Sequence, residues 1–142
     1  CPVENISWSE AFMFIDKLNT ITGKNYRLPT TDEWLLASLK GGSSNEGWLK
    51  ENSGLRTKPV GIIKPNDIGI SDMLGNVWEM CNSKPDSANS HLRFIRIRGA
   101  GFATSKQNVS AYPEKSLSQE RRHYEIGFRI AEDLIAESNS TK

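Results

Sequence analysis

Cysteine and histidine are scarce in this 142-residue chain, with two of each. Neither His91 nor His123 lies near Cys1 or Cys81 at a zinc-ligand spacing, which excludes a sequence-local zinc module. The two cysteines allow at most one bridge, and whether they meet is open at this level. Long apolar runs are absent too: nothing approaches the ~20 residues of a membrane-spanning helix. No charged-then-apolar leader precedes Cys1-Pro2-Val3, so the chain reads as a piece of something longer. Glycine-rich phosphate loops and a nucleophile elbow are missing, and residue chemistry alone names no enzyme. Clustered positive charge is missing as well. Eighteen basic and 17 acidic residues are interspersed to a net charge of +1, and Arg93, Arg96, Arg98, Arg121 and Arg122 read as partners in strand and loop ion pairs. No nucleic-acid partner is expected.

What is present is aromatic and local. The length suits one domain with a real core. Only 37% of the residues are hydrophobic, yet four are tryptophan, which predicts a loop-rich fold held by large aromatic anchors. Ser7-Trp8-Ser9-Glu10 is a capping box. The helix it opens should carry Ala11, Phe14, Ile15 and Leu18 on its inner stripe, turn Asp16, Lys17 and Asn19 outward, and end at Thr22-Gly23. Tyr26-Arg27-Leu28-Pro29 reads as an extended link. Thr30-Thr31-Asp32-Glu33 starts a second helix, which bears Trp34, Leu35, Ala37 and Ser38 and stops at Gly41-Gly42. Beyond it, short apolar segments at 59–63, 94–98 and 126–130 read as strands, the second alternating apolar and basic residues. Residues 83–90 and 113–120 read as polar loops. The expectation is an α+β fold of two short helices, short antiparallel strands and long loops, with a domain over 1–132 and a frayed polar tail over 133–142.

The stretch densest in special-purpose residues is Gly69-Ile70-Ser71-Asp72-Met73-Leu74-Gly75-Asn76-Val77-Trp78-Glu79-Met80. Two carboxylates, Asp72 and Glu79, flank a Gly75-Asn76 turn. A hard cation takes about six to eight oxygens, and acids mixed with turn carbonyls at Gly75 and Val77 would supply that kind of set. The spacing does not match an EF-hand loop. Alternatively, Glu79 is a buried acid paired with an arginine such as Arg98 or Arg129, and Asp72 caps the turn. Residue types leave both readings open.

A series of motifs in fixed order carries a family resemblance. They are Pro2 to Trp8, Tyr26-Arg27-Leu28-Pro29-Thr30-Thr31-Asp32-Glu33-Trp34, Asn52-Ser53-Gly54 with Thr57 to Gly61, Pro65-Asn66 with Gly69 to Met80, Arg98-Gly99-Ala100-Gly101-Phe102, and Gly127-Phe128-Arg129. Together they resemble the formylglycine-generating enzyme, or sulfatase-modifying factor, domain family over most of the chain. The resemblance implies a C-type-lectin-like fold. It also implies that the dense stretch holds a structural calcium ion through the side chains of Asp72 and Glu79 and the carbonyls of Gly75 and Val77. Members usually begin upstream of the first motif, which implies an N-terminally truncated domain.

The departures from the family pattern shape the functional expectation. In formylglycine generators, an arginine-glycine-glycine-serine-aromatic motif precedes two cysteines that bind copper. Here Gly101 stands at the serine position, and the cysteine positions fall on Thr104 and Val109. Copper(I) takes soft thiolate ligands, so neither copper nor formylglycine generation is expected. The iron-dependent sulfoxide synthases of the family need a histidine triad, and this sequence has none. The expectation is therefore a non-catalytic, calcium-stabilised, lectin-like module, bacterial and extracytoplasmic by resemblance, presenting residues 103–124 to a protein or glycan ligand. Its candidate ligand-binding residues are Thr104, Lys106, Asn108, Tyr112, Arg121, His123 and Tyr124, polar and aromatic types suited to adaptable recognition. Two alternatives accompany it. One is an assembly subunit of a bacterial surface complex. The other is an enzyme of altered chemistry, with a pocket near Thr104 lined by Glu114, Arg121 and His123.

Overall fold

The computed structural model describes residues 1–40, 46–82, 94–109 and 112–134. Helix α1 (Trp8–Thr22) starts at the expected capping box, in which Ser7 Oγ accepts from the Glu10 amide at 3.3 Å and Glu10 Oε2 accepts from the Ser7 amide at 2.8 Å. It ends on Gly23, whose φ of 68° supplies the left-handed cap. Ala11 and Ile15 are buried as the stripe predicts, but Phe14 is exposed and meets Phe128 edge-on at 5.7 Å. Asn19 departs from expectation. Instead of facing outward, its amide donates to the Tyr26 carbonyl at 2.9 Å and accepts from the Tyr26 amide at 2.6 Å. That pair of hydrogen bonds holds strand β1 (Tyr26–Arg27) beside the helix.

Helix α2 (Thr31–Leu39) repeats the capping box with Thr30 and Glu33, and buries Trp34 and Ser38. A single-turn helix, α3 (Lys50–Ser53), follows. Strands β2 (Trp78–Cys81), β3 (Phe94–Arg98), β4 (Glu114–Ser118) and β5 (Ile126–Phe128) form one sheet in the order β4-β3-β2-β5. β3 runs antiparallel to both neighbours, whereas β2 and β5 are parallel, with Glu79 opposite Gly127. The sheet is thus mixed rather than antiparallel throughout. β6 (Ala131–Glu132) closes back on β1 in a separate antiparallel pair.

All four residues of β2 are buried. Alternation puts Trp78 and Met80 on one face, in the core cluster with Ala11 and Ile15 of α1, Ile95, Ile97 and Ile126. Cys81 belongs to a second cluster with Trp34 of α2, Met73 and Tyr112. β2 is therefore the floor between two cores.

Three segments differ from expectation. Residues 59–63 form a turn rather than a strand, leaving Val60 and Ile62 exposed. The expected loop at 113–120 contains β4, an edge strand with only Leu117 partly buried. The strand expected at 126–130 stops at Phe128. The expected Gly41-Gly42 helix stop, the loop at 83–90, His91, Arg93 and most of the tail lie outside the described residues. Asp133, the first residue of that tail, is held by Arg27 at 2.8 Å. Both cysteines are free, Cys1 exposed and Cys81 buried, and burial together with the Glu79 charge pushes the Cys81 thiol up to about 12.

Candidate functional site

The Gly75-Asn76 turn is a hub because both residues adopt the left-handed backbone, φ 77° and 64°. A side chain at Gly75 would drive its Cβ to 2.4 Å from the Trp48 carbonyl, so only glycine fits. Asn76 is buried and bonds in four directions. Its amide donates to Trp48 at 2.8 Å, its side chain brackets the Lys58 backbone at 3.0 and 3.1 Å, and its carbonyl accepts from Phe102 at 2.9 Å. The turn therefore fixes three separate loops at once.

Glu79 lies on the β2 face opposite Trp78, only 7% exposed. Its Oε2 accepts from Trp34 Nε1 and from Arg129 Nε, each at 2.6 Å, and its Oε1 accepts from Arg129 Nη2 at 2.7 Å. Arg129 also donates to the carbonyls of Ser71 and Asp72 at 3.2 and 3.3 Å. This arginine closes the Gly127-Phe128-Arg129 motif, so its partners explain why that motif and the dense stretch belong together. Burial pulls the Arg129 pKa down, but the charge and hydrogen bonds of Glu79, with the Asp72 charge, outweigh it and leave it raised.

Asp72 has a φ of 57° and accepts from the Gly61 amide at 2.7 Å through Oδ2, while its buried Oδ1 has no hydrogen-bond partner. A cavity of about 340 Å³ opens here, lined by Asp72, Val77, Glu79 and Arg129 among others. Among the described residues, no group of three or more His, Cys, Asp or Glu side chains could hold a metal ion, so a cation here would depend on backbone oxygens as well.

Next to the hub lies the Arg98-Gly99-Ala100-Gly101-Phe102 motif. Glu125 reaches back to it, and Glu125 Oε1 accepts from the Ala103 amide at 2.8 Å. A Cβ at Gly101 would stand 2.6 Å from that same oxygen. The carboxylate thus occupies the space a serine side chain would need. Thr104 turns back on Gly101, accepting from its amide through Oγ1 at 3.2 Å. A single 3-10 turn, Lys106–Asn108, follows, and Glu51 anchors it by accepting from Ser105 Oγ at 2.8 Å and from the Lys106 amide at 3.1 Å. Val109 packs against the main core. The two positions that would carry thiols therefore hold a turn-closing hydroxyl and a core methyl pair.

The structure gathers some of the predicted ligand-binding residues and scatters others. His123 stacks on Tyr124 at 4.2 Å, and Tyr124 meets Phe102 at 5.8 Å; Phe102 lies two residues before Thr104, and Lys106 and Asn108 sit on the 3-10 turn that follows. His123 Nδ1 accepts from the Glu125 amide at 3.2 Å, which links the aromatic pair to the carboxylate under Gly101. Tyr112 lies elsewhere, edge-on to Trp34 at 6.0 Å, with its carbonyl accepting from Arg98 at 3.2 Å. Arg121 is exposed on the turn after β4, its amide donating to Ser118 at 3.0 Å. Glu114 pairs with Arg98 at 2.6 Å across the β3–β4 register, so Glu114, Arg121 and His123 do not converge on one pocket. Sequence reasoning missed Glu125 and Glu51, and named Asn76 only as part of the turn. Only Asn76 left a local signal, its place after glycine in a turn.

Comparison with known proteins adds context to this geometry. The family description "Sulfatase-modifying factor enzyme 1-like domain" matches residues 1–134. Chaperone protein LppX of Paenibacillus barcinonensis is 32% identical over a match covering 63% of this chain and 43% of the relative. Inactive C-alpha-formylglycine-generating enzyme 2 of Bos taurus is 29% identical over 67% of this chain and 37% of the relative. The chain thus spans less than half the length of these two relatives. Among solved structures, Treponema denticola variable protein 1 superposes with a TM-score of 0.76 at 24% identity, over 91% of this chain and 70% of that one. PvdO from Pseudomonas aeruginosa superposes with a TM-score of 0.78 at 22% identity, over 94% and 62%. At these identities the two structures establish the fold, which is C-type-lectin-like and mixed α+β.

Proposed function

We propose, starting from the fact that this chain belongs to the sulfatase-modifying factor enzyme 1-like domain family, that it is a non-catalytic member acting as a binding module for a protein ligand. The observation that carries this reading is the filled space at Gly101, where the Glu125 carboxylate sits. With Thr104 and Val109 at the cysteine positions, that space has no soft ligand for copper. The exposed Lys106 and Asn108 of the 3-10 turn, together with the exposed Tyr124 against Phe102, are the surface offered to the partner. A relative named as an inactive enzyme supports the non-catalytic reading, and one named as a chaperone supports a protein ligand over a glycan. An extracytoplasmic, bacterial setting is part of the proposal and rests on the family resemblance.

Calcium belongs to the same proposal, as a structural ion. Asp72 Oδ1 is a buried acceptor without a donor, and Glu79 Oε1 accepts a single hydrogen bond and keeps a lone pair for a cation. Both acids and Val77 line one cavity. Arg129 supplies the competing positive charge, so an ion here would share Glu79 with it.

Two measurements test the reading. Incubating the protein with copper and a cysteine-bearing sulfatase peptide should give no aldehyde by mass spectrometry; aldehyde formation would remove the non-catalytic premise. A photo-crosslinker at position 106 should capture a protein that one at exposed Thr20 does not, and Tyr124→Ala should lose it. Capture that is identical from both positions, or unchanged by Tyr124→Ala, sinks the binding surface.

A further inference from the structure

A second concavity lies away from the loop surface, between α1 and β1. Helical spacing sets its long wall: Trp8, Phe12 and Asp16 occupy one i, i+4, i+8 row, and Asn19 continues the face. Tyr26 and Leu28 form the opposite wall. The walls are fixed relative to each other because Asn19 holds both backbone groups of Tyr26. The volume is about 230 Å³. At about 30 Å³ per water, this is the room of a solute with roughly seven heavy atoms.

The chemistry of the walls is specific. Trp8 and Phe12 are stacked at 5.2 Å with planes 19° apart, and Phe12 is 55% exposed although it touches this groove. Tyr26 already attracts a cation, since Lys24 Nζ stands 5.5 Å from its ring centroid. Asp16 is the one acid in the groove, and among the described residues its carboxylate has no ion pair or hydrogen bond. Arg27 also lines the groove, and its charge is offset by Glu33 and Asp133, which bind it at 2.6 and 2.8 Å. Three aromatic rings and an unpaired carboxylate, with the Arg27 charge offset by its two acids, form surroundings that a positively charged, apolar-skinned group prefers.

We infer that this groove binds a small quaternary ammonium solute, choline being the simplest example, with its methyl groups against Trp8, Phe12 and Tyr26 and its charge toward Asp16. This site goes beyond the loop-binding role and does not depend on it. Its residues and ligand class are separate, so failure of one leaves the other standing.

The test is a titration of the whole chain by two-dimensional NMR with choline and with dimethylbutanol, its uncharged carbon isostere. Choline should give saturable shifts at the Trp8 indole and Tyr26, with the isostere about fivefold weaker or more. Asp16→Asn should weaken choline about fivefold and leave the isostere unchanged. Phe12→Ala should remove both, without loss of Tm because Phe12 is exposed. Equal binding of the isostere overturns the inference, as does the absence of saturable shifts with choline. So does choline binding that survives Phe12→Ala or is unaffected by Asp16→Asn.

Discussion

Gly101 and Glu125 are fitted to each other: the Cβ that position 101 lacks would stand 2.6 Å from Glu125 Oε1 and 3.0 Å from Glu125 Cβ. Gly101→Ser should therefore destabilise the protein by about 1–3 kcal/mol, the cost of overpacking a filled space. Denaturant midpoints check it. Adding Glu125→Ala should recover part of the loss, giving a favourable coupling between the two changes. Two strictly additive losses would mean that the carboxylate is not what Gly101 accommodates.

The Glu79–Arg129 pair predicts a different pattern. Arg129→Met leaves a buried carboxylate bonded only to Trp34, at a cost of about 3–5 kcal/mol. The double change Glu79→Met, Arg129→Met should cost clearly less than the sum of the singles, because neither charge remains. Urea unfolding of the four proteins decides the point.

Calcium has a direct readout. If the ion is structural, excess calcium should raise Tm by several degrees over chelator, as linkage requires for a ligand that binds only the folded state. Asp72→Asn combined with Glu79→Gln should abolish that difference. Superimposable melts for the unaltered protein would leave Glu79 neutralised by Arg129 alone, with no ion at the turn.

The two thiols should behave oppositely toward an alkylating reagent at neutral pH. Cys1 is exposed and should react promptly, whereas burial pushes the Cys81 thiol up to about 12, leaving almost no thiolate. Mass spectrometry should show one label on the native chain and a second only after unfolding. Prompt labelling of Cys81 would contradict its buried place on β2 against Trp34 and Met73.

Acid should loosen the β1–β6 closure. Hydrogen bonds from Arg27, then from the Thr30 backbone, lower the Glu33 carboxyl to about 2 from 4.5, and Arg27 lowers Asp133 as well. A depressed acid stabilises the fold above its unfolded pKa, so this contribution is complete above 4.5 and disappears as pH falls toward 2. Both acids are exposed, so solvent screening keeps the effect small. Glu33→Gln should flatten the stability profile across that window; a profile that keeps its slope would show that other acids set it.

How much of this was legible in the sequence depends on distance along the chain. α1 and α2 were readable because Ser7 and Glu10, or Thr30 and Glu33, signal within one turn. β3 was readable because its alternation is written in its own five residues, Phe94–Arg98. β2 was hidden in the dense stretch because both its faces are buried, so Trp78, Glu79, Met80 and Cys81 show no polar alternation. β4 was hidden for the opposite reason. Its residues are nearly all exposed, and only register with β3 makes them a strand. In the candidate site, Asp72 and Glu79 announced themselves by type, and the pairing of Glu79 with Arg129 was one of two readings the residues allowed. Glu125 announced nothing, because its role exists only where a missing Cβ in a distant loop leaves room. Tyr112 is an expected display residue whose ring packs edge-on against Trp34, a contact that no local pattern announces.

The closure of β1 by β6 also has a consequence in time. Arg27 and Asp133 lie 106 residues apart, so the first strand finds its partner only when nearly the whole described chain is available. At about 5–20 residues per second of synthesis, α1 and β1 wait several seconds with their sheet incomplete. Long-range closure of this kind slows folding. The α1 stripe that bears Ala11 and Ile15 is thus made early and covered late, by Ile95, Ile97 and Ile126, and a nascent chain must keep it soluble through that interval.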